Sequence, residues 1–298
     1  MVHSHKDYEA DPFLATAVVG QLLGNGCLNL FLGSGVSAGF GLPEWARLVA
    51  RILGRGDDTA YLAELRTKSD KEMGKLLDQV DDETNKIVYL SAVHRALYAD
   101  VKETLEEQLA QSPLLLAVAG LITGSCRGRV ECVFTYNYDD LLERYLGLLG
   151  LGVCIRETPT DFSTRADVEI NHVHGFLPQS WKPDDGPIEL ILSGRSYRNR
   201  RSEIDSGWSS YVENSMYAKA ALLLGLSGED SAVLDIFNRA KKRIARPDDY
   251  HGYWLLTPAA YARNASDILA VGMCPIRLEK QQMPKFVFRV CQSALPPK

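Results

Sequence analysis

The sequence predicts an α/β fold, a Rossmann-like, mainly parallel sheet with helices on both faces and an added helical insertion. Three observations predict it. Short apolar runs alternate with helical patterns, the first run ends in a glycine-rich loop, and one long helical block interrupts the alternation. Strands that alternate with helices are typical of a parallel sheet covered on both faces. At 298 residues the chain has room for one large domain with a smaller unit inside it.

The first elements lead into the glycine-rich loop. Asp11 followed by Pro12 indicates the start of a helix that ends near 24–26. The apolar run at 28–32 is predicted to be a buried strand, and a helical pattern follows from 43 to about 53.

A helical block occupies 57–124. Its apolar residues recur largely at steps of three and four, and it contains no convincing strand pattern. We interpret it as an insertion into a main domain that spans 11–280, packing over one end of the sheet. Residues 281–298 are then a C-terminal extension, which ends in a loose tail at 296–298.

Strands and helices alternate again after the block. The predicted strands are 130–134, 152–157, 169–173, 188–192, 221–224, 252–257 and 275–278, and the predicted helices are 139–149, one through Tyr211 and Met216, 231–244 and one near Ser266. Ligands of open parallel sheets bind beyond the carboxyl ends of the strands. Polar residues that directly follow these strands are therefore the candidate site residues.

The composition excludes several classes of protein. A net charge of −5 argues against a dedicated nucleic-acid binder, so no direct nucleic-acid binding is expected. No apolar run is long enough to span a membrane, and the polar start of the chain lacks a signal-peptide pattern, so we expect a cytoplasmic protein. The six cysteines form no C-x-x-C pair, which makes a zinc site improbable and predicts that no metal is bound.

The loop after the first strand is the first candidate site. Gly33, Gly35 and Ala38 fit the relaxed dinucleotide pattern G-x-G-x-x-G/A. Glycines let backbone N–H groups approach a phosphate, and the next helix start adds partial positive charge. The sequence thus predicts a phosphate-binding loop, with an ordinary turn as the alternative. A dehydrogenase is disfavoured, because Asp57 and Asp58 lie at the expected distance but follow a helix instead of a second strand.

Two later segments place polar residues at the same edge of the sheet. Thr135 to Asp140 directly follow one predicted strand, and His172-Val173-His174-Gly175 end another. On a continuous strand His172 and His174 point to the same side. An imidazole titrates near neutrality when unperturbed and suits a general base.

Taken in order, these motifs resemble those of the sirtuin-like (Sir2) family. The G-A-G-x-S loop and G-I-P of sirtuins are similar to residues 33–37 and 41–43, and their T-Q-N-I-D is similar to 135–139. Their catalytic H-G is similar to 174–175, and their G-T-S is similar to 225–227. The resemblance extends over nearly the whole chain and implies NAD as substrate.

The departures from sirtuins indicate a subtype. Sirtuin deacylases carry a four-cysteine zinc module that this chain lacks, and Glu44-Trp45-Ala46 stands where they have D-F-R. Asp230, three residues after Ser227, matches a pattern of the bacterial Sir2-like branch. The chain is therefore similar to the zinc-free Sir2-like domains of bacterial anti-phage proteins, which hydrolyse NAD.

The resemblance implies roles for individual residues. Asn137 and His174 are expected to be catalytic; Asn137 orients a ribose hydroxyl or the attacking water, and His174 is the general base. Asp139 is expected to bond the nicotinamide carboxamide. The residues expected to bind the cofactor are Gly33, Ser34, Gly35, Ser37, Pro43, Asp139, Gly225, Ser227 and Asp230. His172 is expected to support the site or to pack.

Structural explanations for some of these residues stay open. Asn137, Ser227 and Asp230 are also residue types that cap helices. The arginine-rich run Arg195, Arg198, Arg200 and Arg201 is interpreted as a solvated loop, with phosphate capture or docking of an acidic neighbour as alternatives. Tyr197, Trp208 and Tyr211 lie beside it and are interpreted as a mobile lid.

The function expected from the resemblance is NAD⁺ glycohydrolysis, giving nicotinamide and ADP-ribose, in a regulated NAD-depleting effector of anti-phage defence. The alternatives are an NAD-dependent protein deacylase or ADP-ribosyltransferase, and a non-catalytic NAD or ADP-ribose sensor. The expected partners are further copies of the chain in a homo-oligomer, or a separately encoded sensor or ATPase.

Overall fold

The computed structural model of the protein describes residues 4–102, 104–124, 129–160, 166–196, 207–243 and 250–294. The strands are β1 (Leu28–Leu32), β2 (Cys132–Thr135), β3 (Val153–Arg156), β4 (Val168–His172), β5 (Ala220–Leu224), β6 (Gly252–Leu256) and β7 (Cys274–Arg277). The helices are α1 (His5–Ala10), α2 (Ala15–Gly24), α3 (Trp45–Ile52), α4 (Thr59–Leu65), α5 (Asp70–Glu83), α6 (Lys86–Tyr98), α7 (Leu105–Ala110), α8 (Pro113–Thr123), α9 (Leu141–Leu148), α10 (Trp208–Ala218), α11 (Ser231–Arg243), α12 (Pro258–Ala270) and α13 (Met283–Ser293).

The strands form one sheet in which every pairing is parallel, in the order β3–β4–β2–β1–β5–β6–β7. Both faces of the sheet are covered. In β1, Leu30 and Leu32 belong to one hydrophobic core, and Phe31 between them belongs to a second core on the opposite face. Adjacent strand residues point to opposite faces, so a strand with apolar residues on both faces requires a covering layer on each side. The fold-class prediction is confirmed.

The strand order places a crevice beside β1. Its neighbours are β2 on one side and β5 on the other, so the order of the strands reverses there. In open α/β sheets such a reversal opens a crevice at the carboxyl ends of the strands, where ligands bind. The loops that follow β1, β2, β4 and β5 all end at this edge.

The described part of the segment between β1 and β2 contains the helices α3 to α8 and no strand. At the start of α4 the Asp58 carboxylate accepts from Ala60 N–H at 2.9 Å. Asp57 forms ion pairs with Arg47 and Arg51. Neither aspartate follows a strand, in keeping with the argument against a dehydrogenase. The interpretation of this block as an insertion stays a prediction.

Three local predictions differ from the structure. Residues 188–192 form no strand, so that prediction was wrong. The N–H of Ile191 donates to His174 O at 2.9 Å, and the carbonyl of Ile191 accepts from Tyr138 Oη at 2.7 Å. The backbone groups of Ile191 are therefore not available to pair with a neighbouring strand. The helices α1 and α13 were missed. In α13, Phe286, Val287 and Val290 are fully buried in the first core, and the helix packs on α2 and α8. Within the described ranges no helix is long and apolar enough to cross a membrane.

Candidate active site at the carboxyl edge of the sheet

The loops after β1 and β5 pack against each other. Gly33 N–H donates to Leu224 O, and Gly35 N–H donates to Gly225 O, both at 2.9 Å. Gly225 has φ +73°, and a Cβ there would lie 2.8 Å from both Gly33 O and Val36 N. Only glycine adopts this backbone and permits this approach without strain. The glycines of both motifs therefore serve the contact between the two loops.

Hydrogen bonds to the loop after β5 and within the glycine loop itself occupy most of the amides expected to bind phosphate. Besides Gly33 and Gly35, Val36 N–H donates to Gly33 O at 3.0 Å and Ser37 N–H to Ser34 O at 3.1 Å. In this conformation most amides of 33–37 are therefore not available to a pyrophosphate, contrary to the expectation. Among the five residues 33–37, Ser34 is exposed and is the one whose N–H forms no backbone hydrogen bond.

The Asn137 side chain is held by the glycine loop. Its Nδ2 donates to Gly33 O at 3.2 Å and to Ser37 Oγ at 3.0 Å, and Ser37 Oγ donates to Asp139 Oδ1 at 3.1 Å. Asp139 also accepts from Leu141 N–H at 3.2 Å, at the start of α9. The loop after β2 is thus joined to the loop after β1 through three side chains that the sequence placed in the site. Asn137 is not the residue that caps α9.

Asp139 is a buried carboxyl group, 7% exposed. Burial raises its pKa to about 7, the nearby Glu143 carboxylate adds to the increase, and hydrogen bonds from Leu141 and Ser37 oppose it. The Asp139 carboxyl group is therefore partly protonated near neutral pH. Such shifted pKa values are often found in functional sites.

His172 and Glu143 form a second buried group beside it. His172 Nε2 lies 2.7 Å from Glu143 Oε1, and its Nδ1 lies 3.2 Å from the carbonyl oxygen of Asn137. Burial lowers the pKa of His172, but the Glu143 carboxylate and the hydrogen bonds outweigh it, so the pKa is raised. Sequence reasoning missed Glu143. Its position four residues after Asp139, in the first turn of a helix, was the available signal.

His174 lies in the turn after β4, so it does not continue the alternation of the strand. Its ring makes an edge contact with Tyr136, with 4.9 Å between centroids, and its Nε2 lies 3.8 Å from Asp230 Oδ2. The following residue, Gly175, has φ +96°, and a Cβ there would lie 2.2 Å from Glu189 O. His172 and His174 therefore have different neighbours, contrary to the prediction that they share one side.

Side chains that belong to none of the predicted motifs hold the loop after β5 in place. Trp254 Nε1 donates to Leu226 O at 3.0 Å, and Asn264 Nδ2 donates to Ser227 O at 2.9 Å. Ser227 is exposed, whereas Asp230 lies near His174 and also accepts from Val233 N–H at 3.4 Å. Asp230 thus accepts a hydrogen bond at the start of α11, as a capping residue does, and its expected role in cofactor binding stays a prediction.

A small cavity lies at the centre of the edge. Its volume is about 10 Å³, enough for about one water molecule. Its polar lining is Ser37, Thr135, Asn137, Asp139, Glu143 and His172. His174 and Pro43 do not line it; Pro43 is buried just before α3.

Other sequence expectations fall outside the site. Trp208 is 2% exposed in the second core, and Tyr211 packs on the guanidinium of Arg156, so the lid prediction was wrong for both. Arg195 N–H donates to Asp78 Oδ1, which ties the start of the arginine run to α5. Tyr197, Arg198, Arg200, Arg201 and the tail at 296–298 lie outside the described residues. Among the residues that are described, no group of three or more His, Cys, Asp or Glu could hold a metal ion.

Comparison with known proteins gives one family match. Residues 131–273 match the family model of the SIR2-like domain. No curated protein matches the chain. A structure solved for the mechanism and regulation of Sir2 enzymes is 16% identical, with a TM-score of 0.47, over 93% of this chain and 98% of that one. A Sir2 homologue in complex with NAD is 13% identical, with a TM-score of 0.40, over 93% of this chain and 94% of that one. The match to the SIR2-like domain thus covers the part of the chain that holds Asn137 and His174.

Proposed function

We propose that the protein is an NAD⁺ glycohydrolase that cleaves the nicotinamide–ribose bond to give nicotinamide and ADP-ribose. One observation carries the proposal: the loops after β2 and β4, with Asn137 and His174, end at the same sheet edge as the glycine loop. The SIR2-like match over 131–273 supports NAD as the substrate.

The residues suit the steps of this reaction. The pyridinium of NAD⁺ is a good leaving group, so cleavage requires binding of the ribose, stabilisation of a cationic centre and delivery of water. Asn137 supplies a side-chain amide that can orient a ribose hydroxyl or the water. His174 supplies a general base that takes the proton of that water. Near pH 7 Asp139 is present in both the protonated and the ionised form. The protonated form can donate a hydrogen bond to the carboxamide oxygen, and the ionised form can accept one from its NH₂ group.

Substrate binding requires movement at this edge. The cavity beside Asn137 holds about one water molecule, and the loop 33–37 packs closely on Gly225. A dinucleotide is much larger, so we expect the loop 33–37 to leave Gly225 when NAD⁺ binds, which frees amides for the pyrophosphate. This closed arrangement is consistent with an enzyme whose activity is regulated.

The test measures nicotinamide release from NAD⁺ by the purified protein. We expect Asn137→Ala and His174→Ala to abolish it. The matched controls are Asn85→Ala, which removes an amide that caps α6, and His94→Ala, which removes an imidazole that contacts Gln179 O. Turnover in both site variants at the wild-type rate would refute the assignment.

Product analysis separates the other candidate functions. Formation of O-acyl-ADP-ribose only with acylated peptide identifies a deacylase, and label transfer from NAD⁺ to a protein identifies an ADP-ribosyltransferase. NAD⁺ binding without turnover identifies a sensor.

The regulation and the defence role are part of the same proposal. Because uncontrolled loss of NAD⁺ kills a cell, we propose a regulated effector of the zinc-free anti-phage type. It would act as a homo-oligomer or with a separately encoded sensor or ATPase. Specific activity measured against protein concentration, together with light scattering, tests the oligomer. A specific activity independent of concentration, from a monomer, would contradict it.

A further inference from the structure

We propose that Glu143 and His172 are positioning residues that hold the peptide group of Asn137 in its working orientation. The proposal rests on the proposed function, because it assigns how the amide of Asn137 is placed for the reaction. The hydrogen bonds of the pair reach the site at the carbonyl oxygen of Asn137.

The hydrogen bonds form one continuous path. Glu143 Oε1 accepts from His172 Nε2 at 2.7 Å, and His172 Nδ1 donates to the carbonyl oxygen of Asn137 at 3.2 Å. On its other side the backbone N–H of Asn137 donates to Thr135 Oγ1 at 3.1 Å. The backbone of Asn137 is thus held at both its N–H and its carbonyl, and its Nδ2 is aimed at Gly33 O and Ser37 Oγ.

The fold brings the pair together from two elements. His172 is the last residue of β4, and Glu143 lies in the first turn of α9. The ring of Phe176 packs on the imidazole with 4.3 Å between centroids. The plane of the imidazole is therefore fixed by a ring contact as well as by two hydrogen bonds.

The hydrogen-bond partners require protons on both ring nitrogens. A carbonyl oxygen and a carboxylate both accept, so an imidazole between them donates twice and carries a positive charge. The His172 side chain is 1% and the Glu143 side chain 9% exposed. A buried ion pair is often no more stable than apolar residues of the same volume. Directional hydrogen bonding to Asn137 is the benefit that apolar residues would not supply.

The second carboxylate oxygen of Glu143, Oε2, is not used by His172. It is buried, has no hydrogen-bond partner among the described residues, and Glu143 lines the 10 Å³ cavity together with Ser37 and Asp139. A cavity of this size suits a single water, which can satisfy the free carboxylate oxygen.

Two substitutions of His172 separate positioning from packing. The amide nitrogen of asparagine occupies the place of the histidine Nδ1, and that of glutamine the place of Nε2. His172→Asn therefore keeps the donor to Asn137 O, whereas His172→Gln keeps the contact with Glu143. We expect His172→Gln to lower kcat for nicotinamide release about 100-fold and His172→Asn to lower it much less, with little change in KM. The double variant His172→Asn/Glu143→Gln controls for the unpaired carboxylate. Equal losses in both single variants, or a larger loss in His172→Asn, would overturn the proposal.

A measurement without NAD⁺ keeps this proposal separate from the proposed function. The amide nitrogen of Tyr138 shares a peptide group with the Asn137 carbonyl, so its resonance reports the hydrogen bond from His172. We expect that resonance to shift in His172→Gln and to stay near its wild-type position in His172→Asn. We also expect both ring nitrogens of His172 to be protonated at pH 7, and only one in Glu143→Gln. If the protein does not cleave NAD⁺, these resonances still test whether His172 and Glu143 position the Asn137 carbonyl. Equal shifts of the Tyr138 amide resonance in both variants would refute the proposal.

Discussion

Replacing Asp139 by asparagine tests whether a buried carboxyl group at the site weakens the fold at neutral pH. Asparagine keeps an oxygen that accepts from Ser37 Oγ and Leu141 N–H, so the hydrogen bonds in which Asp139 accepts are retained. The substitution removes the titration and replaces the second carboxyl oxygen by an amide nitrogen of similar size. Asp139 has its pKa raised from 3.8 to about 7 in the folded protein, with burial as the largest cause.

The sign of the effect follows from proton binding. Between about pH 4 and 7 the folded state binds a proton that the unfolded state has released, so the wild-type free energy of unfolding decreases as pH rises. A shift of about three pKa units at about 1.4 kcal/mol each gives about 4 kcal/mol as the full effect. We expect Asp139→Asn to lack this loss and to become the more stable protein above pH 7.

The assay is urea denaturation of both proteins at several values between pH 4 and 8. The difference in free energy of unfolding, variant minus wild type, should rise across this range by a few kcal/mol, up to about 4. Asp184→Asn, at an exposed aspartate, is the control and should show no such rise. A difference that stays constant with pH would mean that Asp139 is ionised in the folded protein without cost, and the reasoning from burial would fail.

Three further predictions concern single side chains. Gly175→Ala should destabilise the fold by several kcal/mol in urea denaturation, because its Cβ would lie 2.2 Å from Glu189 O; Gly54→Ala, at φ +72° with no atom within 4 Å, is the matched control and should cost only about 1–2 kcal/mol. Phe286→Ala should cost about 3–5 kcal/mol by the same assay, since this side chain is fully buried; a loss below about 1 kcal/mol would show that α13 is dispensable. Ser37→Ala removes a hydroxyl that both donates and accepts at the site, so calorimetry should find the variant about 1–2 kcal/mol less stable; an unchanged melting temperature would contradict this role.

The parts of the fold that follow local rules were predictable from the sequence. The run 28–32 places apolar residues on both faces, which favours a strand buried on both sides, and β1 is that strand. Asp11 before Pro12 marked a helix start, and its carboxylate accepts from Phe13 N–H. Such signals depend on residues that are neighbours in the chain.

Other elements depended on distant partners. Residues 188–192 have the composition of a strand, yet Ile191 bonds to the turn at His174 and to Tyr138, and no strand forms. The apolar face of α13 is part of the core because it packs against α2 and α8, which are distant in the sequence. A hydrophobic pattern indicates which face of an element is buried, but it does not indicate which other element packs against that face.

The segments that end at the carboxyl edge of the sheet could be identified from the sequence, because glycine loops and polar residues after apolar runs are local features. The contacts among those residues depend on the folded structure. It turned the amides of 33–37 toward protein carbonyls, placed Glu143 beside His172, and separated His174 from the cavity that Asn137 lines. Hydrogen bonding and burial depend on distances between residues far apart in the chain, and no spacing within one segment specifies those distances.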